Sequence, residues 1–223
     1  IVSAGWYFVI YEGSLNIFNR NFQAENGSYA DSINQTMYKE TDLNLVVEAD
    51  VAGFELYYLS AENNNSLEMS WEYEYAVSNR YDQDPMEFII TNTTENDTLT
   101  YQINVNYNAG VNPNSIRNIE MNIGLNPEFL SYGFSFAVDV GKIEMVANNK
   151  TFTQLDISTT TGYIYLNLTD IIFPTNPTIT TTTGAVDLDL QDIYLENNTI
   201  FKIETTTGGT SMNWQQNVEF NGD

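Results

Sequence analysis

The sequence is 223 residues long, enough to bury a core without staples, and it contains neither cysteine nor histidine. That composition excludes disulfides, thiolate metal sites, cysteine nucleophiles and every catalytic arrangement built on an imidazole. Thirty acidic residues against seven basic ones give a net charge of -23; no phosphate-neutralising patch can be assembled from so few cations, so nucleic acid is excluded as a partner and membrane contact is expected only through an anchor.

The first eleven residues, Ile1 to Tyr11, are almost entirely apolar and stop at Glu12. They are too few to span a bilayer, which needs about 20. Three roles fit them: the outer end of an anchor, with Trp6, Tyr7 and Tyr11 as an interfacial belt; a buried strand; or a strand donated to a neighbouring subunit. The absence of an initiator Met suggests a processed or truncated form.

Asparagine is abundant, and Asn-x-Ser/Thr acceptor sequences occur at Asn26, Asn34, Asn64, Asn92, Asn96, Asn149, Asn167 and Asn197. Random placement of these residue types yields about five such sequences, so the enrichment is mild. Where a sequon is occupied, its asparagine stands on the surface of an exported protein. A lightly charged, Asn- and Tyr-rich surface points the same way, to the outside of the cell.

Further along, Leu67 to Tyr75 and Leu99 to Tyr107 alternate apolar and polar residues strictly, which predicts strands with one buried face. The polar run from Asn92 to Thr98 predicts a hairpin loop joining the second of these to Phe88, Ile89 and Ile90. Residues 108–115, rich in Asn, Gly and Pro, suggest a boundary between an amino-terminal β-rich region, 1–110, and a repeat region, 111–223. The sole helical candidate is the short stretch from Pro127 to Leu130.

The carboxy-terminal half is organised around four glycines, Gly141, Gly162, Gly184 and Gly208, spaced by 21, 22 and 24 residues. Five residues before them stand Phe136, Ile157, Ile179 and Ile203; seven before stand Phe134, Leu155, Pro177 and Phe201. After them, at steps of two, four and six, come Ile143, Ile164, Val186 and Thr210, then Met145, Leu166, Leu188 and Met212, then Ala147, Leu168, Leu190 and Trp214. Within each flank the period is two, that of a half-buried strand. Across the glycine the step is seven, an odd number, so an unbroken strand would send one flank to the wrong face and the chain must bend there. Three of the four bends read Thr-Thr-Thr-Gly. A fainter copy uses Ala52, with Leu45 and Val47 before it and Phe54, Leu56 and Tyr58 after.

These columns predict an all-β protein whose carboxy-terminal half is solenoid-like, with further antiparallel strands in the amino-terminal half. The alternative is a meander of hairpins in a β-sandwich or barrel. The run Val138 to Met145 with the three Thr-Thr-Thr-Gly bends resembles the DUF4097-type adhesin family of bacterial and archaeal surface β-solenoids, over residues 134–214. That resemblance implies a stack of strands outside the membrane and brings no catalytic residues with it.

Carboxylates are the only abundant reactive groups. Asp187, Asp189 and Asp192 form the densest cluster; Asp187 and Asp189 share a strand face about 7 Å apart, a spacing open to calcium or to a glycoside hydrolase pair. An alternating strand also needs polar residues on its solvent face, and that explanation suffices. Trp71, Tyr73 and Tyr75 suggest either a sugar-stacking strip or a core face. The expected protein is therefore a non-catalytic, extracellular structural or adhesion protein without cofactor, a filament subunit among its forms. Its partners are copies of itself, other surface proteins or glycans. The competing reading is a carboxylate-dependent glycoside hydrolase or lyase on a β-helix.

Overall fold

The structure is a computed structural model that describes residues 22–31, 41–76, 85–108, 111, 116–196 and 198–216. The apolar stretch 1–11, with its three competing roles, lies outside the described residues, as do Asn34 and Asn197.

The chain is all-β, with no helix among the described residues. Its strands are β1 (Phe22–Asp31), β2 (Asp42–Val51), β3 (Gly53–Tyr58), β4 (Leu67–Ala76), β5 (Met86–Glu95), β6 (Thr98–Tyr107) and β7 (Ile116–Leu125), followed by the long β8 (Ser131–Phe173), β9 (Thr178–Gln191), β10 (Tyr194–Leu195) and β11 (Lys202–Gln215). They form one sheet in the order β1-β4-β7-β3-β8-β2-β6-β5, with β9 added to β8 and β11 to β9. Strands from either side of residue 110 interleave in it, since β7 lies between β4 and β3 while β2 lies between β8 and β6.

The glycine columns read from the sequence are the register of this sheet. β8, β9 and β11 run parallel, with Ile157 paired to Ile179 and Gly162 to Gly184, and Ile203 to Ile179 and Gly208 to Gly184. The copy at Ala52 is real as well: Leu45 pairs with Phe134 and Val47 with Phe136 before the bend, and Phe54 with Ile143 and Leu56 with Met145 after it. Apart from half-buried Tyr58, residues at the column positions are buried through the layers that begin at Ala52, Gly141, Gly162 and Gly184. Each such aliphatic or aromatic side chain contributes about 1.5–3 kcal/mol. Even Pro177, the misfit of its column, is buried, and its carbonyl accepts the amide of Lys202 at 2.9 Å.

Glycine is required at the bend because the layers approach there closely. A Cβ on Gly141 would stand 1.8 Å from the carbonyl oxygen of Ala52; the same atom on Gly162, Gly184 and Gly208 would meet the oxygen of the preceding glycine at 1.9, 1.7 and 1.6 Å. Gly184 and Gly208 also have φ of 149° and 141°, a region L side chains avoid. Threonine takes the position three before the bend, where Thr159 and Thr181 are buried and the hydroxyl of Thr159 donates to that of Thr181 at 3.0 Å. Aromatic rings continue the stacking as a ladder from Phe134 through Phe152, Phe173 and Phe201 to Trp214, with centroids 5.0–6.3 Å apart.

The expectation of a solenoid is not supported. The parallel layers are joined to antiparallel pairings, β1 with β4, β4 with β7 and β5 with β6, in one sheet that curls into a half-barrel. In-register stacking constrains neighbouring strands only, so the same columns suit a curled mixed sheet. The two arms of the curl meet at Trp71 and Phe88, whose rings stack at 4.7 Å, and at a polar cluster. There the hydroxyl of Ser66 lies 2.6 Å from that of Tyr101, and Tyr101 donates to Asp31 at 2.8 Å.

Two local expectations are corrected. The loop from Asn92 to Thr98 is shorter, because the strands continue to Glu95 and resume at Thr98. Asn96 and Asp97 turn the chain with φ of 48° and 61°, the paired left-handed conformation of a two-residue hairpin. The stretch from Pro127 to Leu130 is a turn and not a helix. Asn126 organises it: its side-chain oxygen accepts the amide of Glu128 at 3.0 Å, and its amide group donates to the carbonyls of Asn63 and Asn65.

Two predictions follow from this packing. Gly162→Ala is expected to cost at least about 3 kcal/mol, because backbone fills the space a Cβ needs, whereas Gly209→Ala, which meets nothing within 4 Å, should change stability by less than about 0.5 kcal/mol; urea unfolding of the two variants checks the contrast. Burial raises the pKa of Tyr58, Tyr101 and Tyr132 above the ordinary value of 10.0. The folded state therefore holds these protons more tightly than the unfolded chain, and stability present below pH 10 is lost as pH rises above it. Tyrosinate absorbance and far-ultraviolet circular dichroism recorded along an alkaline titration should show these hydroxyls ionising together with unfolding.

Candidate functional site

The acidic trio of Asp187, Asp189 and Asp192 is divided by the fold. Asp187 and Asp189 lie on β9 in the layer register, opposite Tyr165 and Asn167 on one side and Ser211 and Asn213 on the other. Their partners are their own neighbours: the Tyr163 hydroxyl donates to Asp187 at 3.3 Å, and the Asn213 amide donates to Asp189 at 3.0 Å. They are half-buried members of polar columns that run Tyr165–Asp187–Ser211 and Asn167–Asp189–Asn213 from layer to layer.

Asp192 follows from the backbone. It adopts φ of 51°, and the residues eight beyond the preceding two glycines, Asn149 and Asp170, adopt 53° and 52°. Each layer thus turns the same corner through a left-handed residue, a conformation Asn and Asp tolerate best among non-glycine residues. This column is missing from the sequence reading although its signal was present, as an Asn or Asp at a fixed offset from three glycines. It also accounts for one of the sequons, Asn149. Among the described residues no group of three acidic side chains is placed to hold a metal ion.

The other sequons divide by exposure. Asn26, Asn64, Asn92, Asn96 and Asn149 are exposed, while Asn167 is half-buried within β8. The amide of Asn92 donates to Asp31, and Ser66, which completes the Asn64 sequon, is fully buried with its hydroxyl engaged. Of the aromatic strip, Tyr73 is 2% exposed, and a Cβ on Gly27 would stand 2.3 Å from the Trp71 ring. With Phe88 against it as well, Trp71 is part of the wall between the arms.

The remaining cations are committed. Arg117 pairs with Glu74 at 2.6 Å, Lys142 with Glu144 at 2.6 Å and Lys202 with Glu204 at 3.0 Å. Lys150 donates to the Pro127 carbonyl at 2.7 Å and sits 5.1 Å from the centroid of the Tyr58 ring, where burial lowers its pKa. Arg20, Lys39 and Arg80 lie outside the described residues.

One cavity of about 410 Å³ opens at the first bend, between Ala52 and β7. Its floor is Val51, Ala52, Phe54 and Ile119, and its rim carries Glu55, Glu120, Glu144 and Lys142. Such a groove suits an apolar or cationic group, and its described lining holds no hydroxyl, thiol or imidazole to act as a nucleophile.

The corner assignment of Asp192 is open to test. Asp192→Gly is expected to leave the melting temperature nearly unchanged, while Asp192→Val, forced into the left-handed region, should lower stability by about 1–2 kcal/mol. A calcium-dependent rise in melting temperature that Asp192→Gly abolishes would instead make this residue a ligand.

No protein-family model matches the chain, and no curated protein matches it in sequence, so the DUF4097-type resemblance stands without a matching family model. Solved structures to which it is similar include one described as a "putative cell adhesion protein" from Clostridium sporogenes, at 13% identity over 87% of this chain and 100% of that one, with a TM-score of 0.48. Two others are each described as a "putative adhesin". That from Parabacteroides distasonis has 11% identity over 88% of this chain and 80% of its own, TM-score 0.27; that from Bacteroides fragilis has 9% identity over 89% and 98%, TM-score 0.26.

Proposed function

We propose that this chain is a non-catalytic structural or adhesion module displayed outside the cell. The observation that carries the reading is that residues resembling a reactive site have architectural partners. The threonines stack in a column, Asp187 and Asp189 are held by Tyr163 and Asn213, and Asp192 occupies a recurring corner. Exposed sequons and a strongly acidic, lightly basic surface suit an exported protein. Among the described residues no helix is long and apolar enough to cross a membrane.

Brief proteolysis of intact cells of the source organism, followed by mass spectrometry, tests the location. Peptides of this chain should be released from unbroken cells; release from lysed cells alone would contradict the assignment. The competing reading, a carboxylate-dependent hydrolase or lyase, would be established by polysaccharide turnover that disappears in Asp187→Asn/Asp189→Asn. The expected outcome is no turnover by the parent chain and a melting temperature in the double variant within a few degrees of it.

A further inference from the structure

The β11 layer differs from those beneath it. β11 pairs residue by residue with β9, from Lys202 opposite Thr178 to Gln215 opposite Gln191, and among the described residues no strand pairs with its other edge. Its column residues are open. Met212 is 52% and Trp214 39% exposed, whereas their counterparts Leu188 and Leu190 are 1% and 0%.

This edge also lacks the usual protections of an outer strand. From Thr205 to Gln215 it has no charged residue and no proline in a chain of net charge -23, and the Lys202–Glu204 pair neutralises its start. The outer strands at the far side of the sheet, β1 and β5, carry Glu25, Asp31, Glu87 and Glu95.

The bend makes this edge self-complementary. Phe201, Ile203 and Thr205 stand seven, five and three residues before Gly208, and Thr210, Met212 and Trp214 stand two, four and six after it. These positions mirror one another about the Thr207–Gly208 bond. A two-fold axis through that bond therefore aligns a second copy antiparallel, with Phe201 opposite the partner's Trp214, Ile203 opposite the partner's Met212 and Thr205 opposite the partner's Thr210. All three pairs face the same side of the sheet, and both strands bend at the axis.

We propose that β11 is a dimerisation edge, joining two copies of this chain antiparallel about the Thr207–Gly208 bend. The pairing continues the apolar ladder across the axis, places no acidic pair opposite another in the uncharged run, and closes on itself as an isologous interface. It goes beyond the proposed surface role and does not require it.

Sedimentation of the whole chain over a range of concentrations tests the proposal. A dimer is expected, with a fraction that rises with salt because the two acidic bodies repel. Met212→Glu should leave a folded monomer whose melting temperature no longer depends on protein concentration, while Val146→Glu, at a position 55% exposed on β8, should leave the dimer intact. The register has its own test, since the chain is free of cysteine. The flanks of one chain already touch across the bend, with Thr205 and Thr210 hydroxyls 2.8 Å apart, so the two cysteines go on separate chains: a mixture of Ile203→Cys and Met212→Cys single variants should give a covalent dimer on mild oxidation, and a mixture of Val146→Cys and Met212→Cys should not. A chain that stays monomeric at every concentration, a dimer indifferent to Met212→Glu, or a dimer in which the mixed single-cysteine variants do not cross-link would each overturn the proposal.

Discussion

The fold depends on one close approach. At each bend the carbonyl oxygen of one layer occupies the space where the next layer would carry a Cβ, within 2 Å of its ideal position. Only a residue without that atom permits the contact, and so each added layer is held at one register. The rest of the ladder follows. Once glycine lies on glycine, isoleucine must lie on isoleucine and leucine on leucine, and their burial supplies the hydrophobic stabilisation that holds the contact closed. Ala52 stands at the first bend of the ladder: its carbonyl approaches Gly141, and its own side chain is buried in the core.

The same constraint explains why the threonines and Asp187, Asp189 and Asp192 are spread along the layers. A bend between two period-two flanks leaves hydroxyls stacked on the inside and carboxylates or amides alternating on the outside. The corner that returns the chain to the next layer needs a left-handed residue, and Asn149, Asp170 and Asp192 provide it. Polar groups spread along columns are poorly suited to catalysis, which needs them convergent around one point. Thr159, Asp187 and Asp189 instead find partners one layer away, in Thr181, Tyr163 and Asn213.

The antiparallel arms show how a ladder is ended. On the side away from β11, the hairpin of β5 and β6 closes one path and β4 with β1 the other. The arms are joined through the Trp71–Phe88 stack and the contacts of Asp31 with Tyr101 and Asn92. Those outer strands carry the charges that discourage further pairing.

The local part of this architecture was legible in the sequence. The glycine spacing, the period of two and the odd step across each bend determined the strands, their buried faces and their layer register, including the faint copy at Ala52, because side-chain alternation and Cβ sterics act within a few residues. The alternating runs that became β4 and β6 were legible for the same reason. The two-residue turn at Asn96 and Asp97 and the corner at Asp192 were written in residues that tolerate left-handed backbone, but polarity alone does not separate that role from a loop or a ligand. Tertiary structure decided the rest. Whether parallel layers close into coils or open into a half-barrel depends on which distant strands pair with β2, β3 and β8, and the contacts of Ser66, Asp31 and Tyr101 span 35 to 70 residues. Tertiary structure also decided which layer is open among the described residues. Nothing in the columns distinguishes Met212 and Trp214 from Leu188 and Leu190, and only the absence of a further strand among the described residues leaves the first pair open and buries the second.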